Sequence, residues 1–199
     1  MPSPIGHLIA GATIGLAADH GRHLSTRWPR ILVISAFLAA APDLDLIYPD
    51  GHRKMTHSLL AVGLVLLTAM LVTRLRARRI DWLASITCTL AYGSHLLTDY
   101  FGVDPGTPSG IQLLWPWNER WFISEWSLFL GTERHDPFGI FAITMNTLAL
   151  GRELLILAPC LLLVLVRRRR MEKAAQTTPT ASTSVATRRV GEPFADTGE

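Results

Sequence analysis

Four short stretches of this 199-residue sequence carry side chains that could do chemistry together. His95 and Asp99 are four apart, so on a helix they share a face. That spacing suits two ligands of one metal ion, and it equally suits a structural hydrogen bond. Pro42-Asp43-Leu44-Asp45 breaks an apolar run. It presents two acids on one side if extended, or forms a capped turn. His52 and His57 bracket Arg53-Lys54-Met55-Thr56 just ahead of another apolar run, where Thr56 could cap the next helix and His57 lie at the interface. His7 sits in a Gly/Ala-rich segment and would be dismissed on its own. Histidine and aspartate are the usual nitrogen and oxygen ligands of zinc and related ions. A bound zinc ion lowers the pKa of its water to about 7, which makes hydrolysis the chemistry to expect of such a set.

The elements that must position these residues are apolar. Hydrophobic residues make up 49% of the chain and charged residues 18%, against about 25% charged in an ordinary soluble domain. The mean hydropathy is +0.27 although the last 29 residues are almost entirely polar. This excludes a disordered chain, a coiled coil and a disulfide scaffold, and argues for a polytopic membrane protein over a soluble enzyme. Cys88 and Cys160 both lie inside apolar runs and read as buried thiols. The net charge of +3 comes from arginines at the ends of apolar runs. A membrane explains that placement better than nucleic acid does.

Five apolar stretches stand out: Ile5–Ala18, Ile31–Tyr48, Ser58–Thr73, Trp82–Thr98 and Pro137–Val166. A spanning helix needs about 20 residues, so most are at or just under the limit. The expected fold is all-α: a polytopic membrane helix bundle of four to five spans with a His/Asp metal site at one end. Pro137–Gly151 could be the first half of the last span, a re-entrant segment or an interfacial helix. No basic n-region precedes Ile5, so no signal peptide is expected. Residues 1–170 form the membrane-embedded domain. Residues 171–199, rich in Thr, Ser, Ala and Pro, form a disordered cytoplasmic tail.

Arginine placement sets the orientation. Arg22, Arg27 and Arg30, then Arg74, Arg76, Arg78 and Arg79, then Arg167–Arg170 follow alternate spans. These groups hold 11 of the 19 basic residues, which puts the N-terminus outside and the C-terminus in the cytoplasm. His7, Asp43, Asp45, His52, His57, His95 and Asp99 then all fall on the outer side, and only His20 and His23 sit among the inner arginines. An ionisable group at membrane depth is costly unless paired, hydrated or coordinated, so this collection on one side points to a metal. The segment from Tyr100 to Arg134 is aromatic and turn-rich, with Trp115, Trp117, Trp121, Phe122 and Trp126. It reads as an interfacial belt, as a wall over the site, or as both. His135-Asp136 is a further possible ligand pair.

In order along the chain come Gly6-His7, Pro42-Asp43-Leu44-Asp45, His52-Arg53-Lys54-Met55-Thr56-His57-Ser58, His95-Leu96-Leu97-Thr98-Asp99 and Gly110-Ile111-Gln112-Leu113-Leu114-Trp115-Pro116. Over about residues 3–170 the sequence resembles the YdjM-type family of bacterial inner-membrane metal-dependent hydrolases. That family is in turn similar to zinc-dependent phospholipase C in its order of His and Asp along helices. The resemblance implies an inner-membrane location and His7, Asp43, His57, His95 and Asp99 as metal ligands, with Asp45 and His52 as ligands or their supports. No clear H-x-x-x-E follows downstream, so one or two divalent ions, zinc by ligand type, are expected rather than three.

On this basis the leading expectation is an enzyme that hydrolyses a phosphoester of a membrane lipid or amphiphile. Asp45 or Asp99, if not a ligand, would be the general base, and Arg53 would steady the phosphate. Two other classes stay open. A transporter would need polar groups through the full membrane depth, whereas the third and fourth stretches are apolar at their inner halves. A non-catalytic protein with a structural metal would have the same ligands in a closed site.

Overall fold

Among the described residues, each of the five apolar stretches contains one α-helix. The computed structural model describes residues 1–18, 28–47, 52–133, 136 and 138–177. Helix α1 is Pro4–Ala18, α2 is Trp28–Ala40, α3 is Leu59–Ala77, α4 is Trp82–Tyr100 and α5 is Ile140–Thr177. A 3-10 turn, Ala41–Ile47, follows α2 directly. Among the described residues there is no strand, only isolated bridges pairing Gly102 with Phe129 and Ile111 with Phe122.

Local chemistry explains the boundaries. Pro4 opens α1, where its missing N–H costs nothing and its fixed φ favours the helix. Pro42 falls just past α2 and cannot continue its hydrogen-bond ladder, so the chain tightens into the 3-10 turn. The N-cap of α3 is Ser58 rather than Thr56. Its hydroxyl accepts from the Ala61 N–H at 3.2 Å, which leaves Thr56 free for another partner. Asp81 caps α4 by accepting from the Ala84 N–H at 3.0 Å.

Helix α1 is the hub and packs on α2, α4 and α5, while α3 packs on α4. The contact with α2 runs through small residues. A Cβ on Gly11 would lie 2.5 Å from the Ala39 Cβ, and one on Gly15 would lie 2.7 Å from the Ser35 Oγ. This is the small-xxx-small pattern that lets helices in membranes approach closely. Helices α3 and α4 form a hairpin. Its 19-residue arms are about 28 Å long at 1.5 Å per residue. His57, His95 and Asp99 therefore lie at one end and Arg74 and Arg76 at the other.

The expectation of four to five spans is met in part: two helices, α3 and α5, are long and apolar enough to cross a membrane. Helices α1 and α2, with 15 and 13 residues, are shorter than a full span. Helix α4 has the length, but it buries Ser85, Thr87, Ser94, His95, Thr98 and Asp99 on its inner face. Residues 140–151 open a single helix, α5, which runs on without a break through Gly151 and Pro159. It also continues to Thr177, past the start expected for the tail, and residues 178–199 lie outside the described residues. So do His20, Arg22, His23, Arg27, Tyr48, Arg134 and His135.

The tight α1–α2 contact predicts a cost for added volume. Gly15→Leu should lower the thermal unfolding temperature in detergent, by the equivalent of about 1–3 kcal/mol for overpacking. An unchanged transition would mean that this contact does not hold the two helices together.

Candidate metal centre

Four pieces of chain deliver the candidate residues to one place. Helix α1 carries His7, the 3-10 turn carries Asp43 and Asp45, the segment before α3 carries His52 and His57, and α4 carries His95 and Asp99. All seven expected residues meet, in the overlapping groups His7–His95–Asp99, Asp43–His57–His95 and Asp45–His52–His57.

The inner part is a ring of five side chains. The Nε2 atoms of His7, His57 and His95 lie 3.5, 3.4 and 3.2 Å from the Asp99 carboxylate. They lie 4.0, 3.9 and 3.7 Å from that of Asp43. The Nε2 atoms of His57 and His95 are 3.0 Å apart, and the His7 and His95 rings stack at 3.8 Å. Both Asp99 carboxylate oxygens and the Oδ2 of Asp43 are buried without a hydrogen-bond partner.

Each imidazole is turned inward by what its other nitrogen touches. The Nδ1 of His95 lies 2.7 Å from the Ala39 carbonyl, which can only accept, so Nδ1 carries the proton. The Nδ1 of His7 lies 2.9 Å from the Thr98 hydroxyl. That hydroxyl already donates to the Ser94 and His95 carbonyls, so it accepts from His7. The Nδ1 of His57 lies 2.9 Å from Thr56 Oγ1 and 3.2 Å from Asp45 Oδ2. Three Nε2 lone pairs therefore face two carboxylates. Acceptors packed this closely are stabilised by a positive charge among them, either a proton on His57 or a bound cation. Ligands about 2.0–2.2 Å from one ion stand about 3–3.5 Å from one another; the Asp99 spacings of 3.2–3.5 Å are of that size, and Asp43 stands slightly further out at 3.7–4.0 Å. The donor set fits a divalent ion, with partners behind each histidine of the kind that orient metal ligands.

Asp45 lies just outside this ring and is saturated. It accepts from His52 Nδ1 at 2.6 Å, from the Arg53 N–H at 3.2 Å, from Thr56 Oγ1 and from His57 Nδ1. Burial alone would raise its pKa. The bonds from His52, His57 and Thr56 outweigh burial and hold it well below the usual carboxylate range. Burial would likewise lower the pKa of His57, but the Asp45 and Asp99 carboxylates push it up to about 9. Arg53, expected to steady a phosphate, has its guanidinium on the Asp104 carboxylate and 5.2 Å from the centre of the Trp121 ring. Its backbone is left-handed at φ 66°, an uncommon state for a side chain of this size. The Gln112 N–H, bonded to the Arg53 carbonyl at 2.9 Å, helps hold it there.

The aromatic segment after α4 joins the site as a wall. Besides the Arg53–Asp104 pair, the Leu59 N–H donates to the Leu113 carbonyl at 2.9 Å. Ile111 is fully buried against Tyr92 and Leu96, and the Tyr92 hydroxyl donates to the Thr56 carbonyl at 2.6 Å. Trp115, Trp121 and Phe122 are half-buried, while Trp117 and Trp126 are exposed. The further pair His135-Asp136 is not placed, because His135 lies outside the described residues.

Sequence reasoning missed Thr98, Thr56, Asp104 and the Ala39 carbonyl. Thr98 and Thr56 each precede a ligand, and that adjacency was the available signal. A backbone carbonyl leaves no signal in side-chain types.

Fold and site together define an all-helical membrane protein with a buried His/Asp cluster that could hold a metal ion. The model of the YdjM inner membrane protein family matches residues 1–174, and the chain belongs to that family. It is therefore a protein of the inner membrane. No curated protein and no solved structure matches it.

The raised pKa of His57 has a consequence for loading. Without metal, His57 carries a proton at pH 7, and an incoming ion must displace it. Binding of zinc should therefore release this proton below pH 9, and apparent affinity should climb with pH and level off near that value. Calorimetry at pH 7 in buffers of different ionisation enthalpy reads the proton directly. Its absence would mean that His57 does not bind through Nε2.

Proposed function

We propose that this chain is a membrane-bound, metal-dependent hydrolase that cleaves a phosphoester of a lipid or amphiphile. The observation that carries the reading is the inward convergence of three Nε2 atoms on two buried carboxylates, three of whose oxygens lack a hydrogen-bond partner. His7, Asp43, His57, His95 and Asp99 would hold the ion. A divalent ion in such a site supplies Lewis acidity and lowers the pKa of a water.

Access favours an open site over a closed structural one. The His57, His95 and Asp99 side chains are fully buried and that of His7 almost so, whereas Asp43 keeps 10% and His52 16% exposure. Solvent and substrate would reach the ring from that side. Leu44, Leu46, Ile47 and Met55 are exposed near this approach in sequence, which suits an amphiphile. In this reading Asp45 orients His52 and His57 rather than acting as base, since its oxygens are already occupied. His52, held through Nδ1, offers its Nε2 lone pair to take a proton from the attacking water and pass it to the leaving group. Arg53 ties down the aromatic wall. The bundle would be multi-pass, with α1, α2 and α4 embedded beside α3 and α5. The site would face outside, opposite the arginine-bearing ends.

Detergent-purified protein would be assayed for metal by mass spectrometry, then loaded and offered short-chain phospholipids and aryl phosphodiesters. Wild type should hold one or two equivalents and turn over a phosphoester. His57→Ala should lose metal and activity while keeping its helical content. His52→Ala should keep the metal and lose about 10²–10⁴-fold in turnover, as for removal of a general acid–base. A loaded wild type inactive on every phosphoester would favour a structural metal, and full activity in His57→Ala would end the proposal.

A further inference from the structure

Helix α5 is apolar enough to span a membrane, yet it buries a carboxylate completely: Glu153 has no exposed surface. Its inner face reads Ala142, Asn146, Ala149, Glu153, spaced by four, three and four residues. Ala142 and Ala149 are buried, so this is the stripe by which α5 approaches the rest of the molecule. Beyond it, most of α5 is exposed and apolar. An ionisable residue at such a position is expensive and calls for a specific partner.

That partner is the start of α1. The Ser3 N–H donates to Glu153 Oε1 at 2.5 Å, and the Ser3 hydroxyl donates to Oε2. The same hydroxyl accepts the Gly6 N–H at 3.2 Å, so Ser3 caps the helix from within while Glu153 caps Ser3 from outside. The positive end of the α1 dipole meets the carboxylate. Gly6 is needed for this approach, since a Cβ there would stand 2.6 Å from Glu153 Oε2. The next residue is His7, whose N–H bonds back to the Ser3 carbonyl at 3.3 Å. One turn of helix thus separates the Glu153 clamp from a candidate metal ligand.

We propose that Glu153 is a positioning residue for the metal centre: by clamping Ser3 it fixes the first turn of α1 and so aims His7 at the ring. The inference rests on the metal-binding reading above. It assigns a role in the site to a residue of the lipid-facing helix that makes no contact with the ring in the groups that could hold an ion. Asn146 and Arg152 support the same docking. The Asn146 amide brackets the Glu133 backbone at 2.8 and 3.0 Å, and Arg152 donates to the Ser127 carbonyl at 2.8 Å. Helix α5 therefore grips both α1 and the aromatic wall.

The test is cobalt titration of full-length protein in detergent, followed by the visible absorption of the bound ion. Four proteins are compared: wild type, Glu153→Gln, His7→Ala and the double variant. Gln keeps the size but offers one acceptor in place of two. Glu153→Gln should weaken cobalt binding about 10- to 100-fold, the usual cost of removing a partner behind a ligand, and should shift the absorption bands. In the His7→Ala background it should do neither. Gly6→Ala, which pushes into the carboxylate from the other side, should reproduce the loss and covers the case in which Glu153→Gln fails to fold. An equal loss with and without His7, or no loss in either variant, would overturn the proposal. A wild type that binds no cobalt would instead remove the metal reading itself.

Discussion

The rest of the site depends on one electrostatic constraint: three imidazole lone pairs and two carboxylates share a volume with side-chain exposures of at most 10%. Any two of these groups at 3–4 Å repel unless something positive lies between them. A buried carboxylate without a partner is among the least tolerable features a fold can carry. A proton on His57 relieves part of this strain, but it bridges only some of the acceptors. Tyr92, Thr98, Thr56, Asp45 and the Ala39 carbonyl all serve the same end. They bind or back the groups that fix each ring, so that every Nε2 stays in the cluster.

The helices divide the work accordingly. Those that carry the inner ligands are short or polar on their inner faces. Helices α1 and α2 meet over glycine and small residues, and this brings the Ala39 carbonyl behind His95 and His7 beside it. On α4 the residues His95, Thr98 and Asp99 fall at i, i+3 and i+4, so one face supplies two ring members and the hydroxyl that orients a third. The two long apolar helices stand outside. Helix α3 buries none of its apolar span within the molecule and presents His57 only through the segment ahead of its first turn.

Much of this was legible in the sequence because it follows from periodicity and residue type. The five apolar runs became five helices with boundaries within a few residues at most ends. The seven His and Asp residues expected on one side came together. What escaped depends on contacts between distant parts of the chain. Whether Asp45 binds an ion or orients its neighbours turns on four donors drawn from residues 52 to 57. Nothing in Pro42-Asp43-Leu44-Asp45 distinguishes its two acids. Arg53 reads as an anion binder until Asp104, 51 residues on, is found beside it. Glu153 looks like an interruption in an apolar run, and its meaning lies 150 residues away at Ser3. The count of spans is met only in part for a related reason: the helices formed by the first two stretches, of 15 and 13 residues, are apolar but shorter than a full span.

The unequal burial of the ring bears on why such a site would sit at the end of a membrane bundle. A metal serving only to hold helices together gains from being closed on all sides. Here the closed side is made by α1 and α4, and the more open side by the 3-10 turn and the His52 segment, which lie outside the α-helices. Irregular backbone leaves room for a second molecule, and the hydroxyl of Thr56 and the carboxylate of Asp45 stiffen it where His52 must be held. Exposed Leu44 and Ile47 on the same turn would be a liability facing water alone. In the proposed orientation they would border a lipid phase, and a substrate with one apolar end and one charged end would lie with its head at Asp43 and its tail among them. In that orientation the arrangement that makes the cluster costly to fold would also leave it reachable from the bilayer edge.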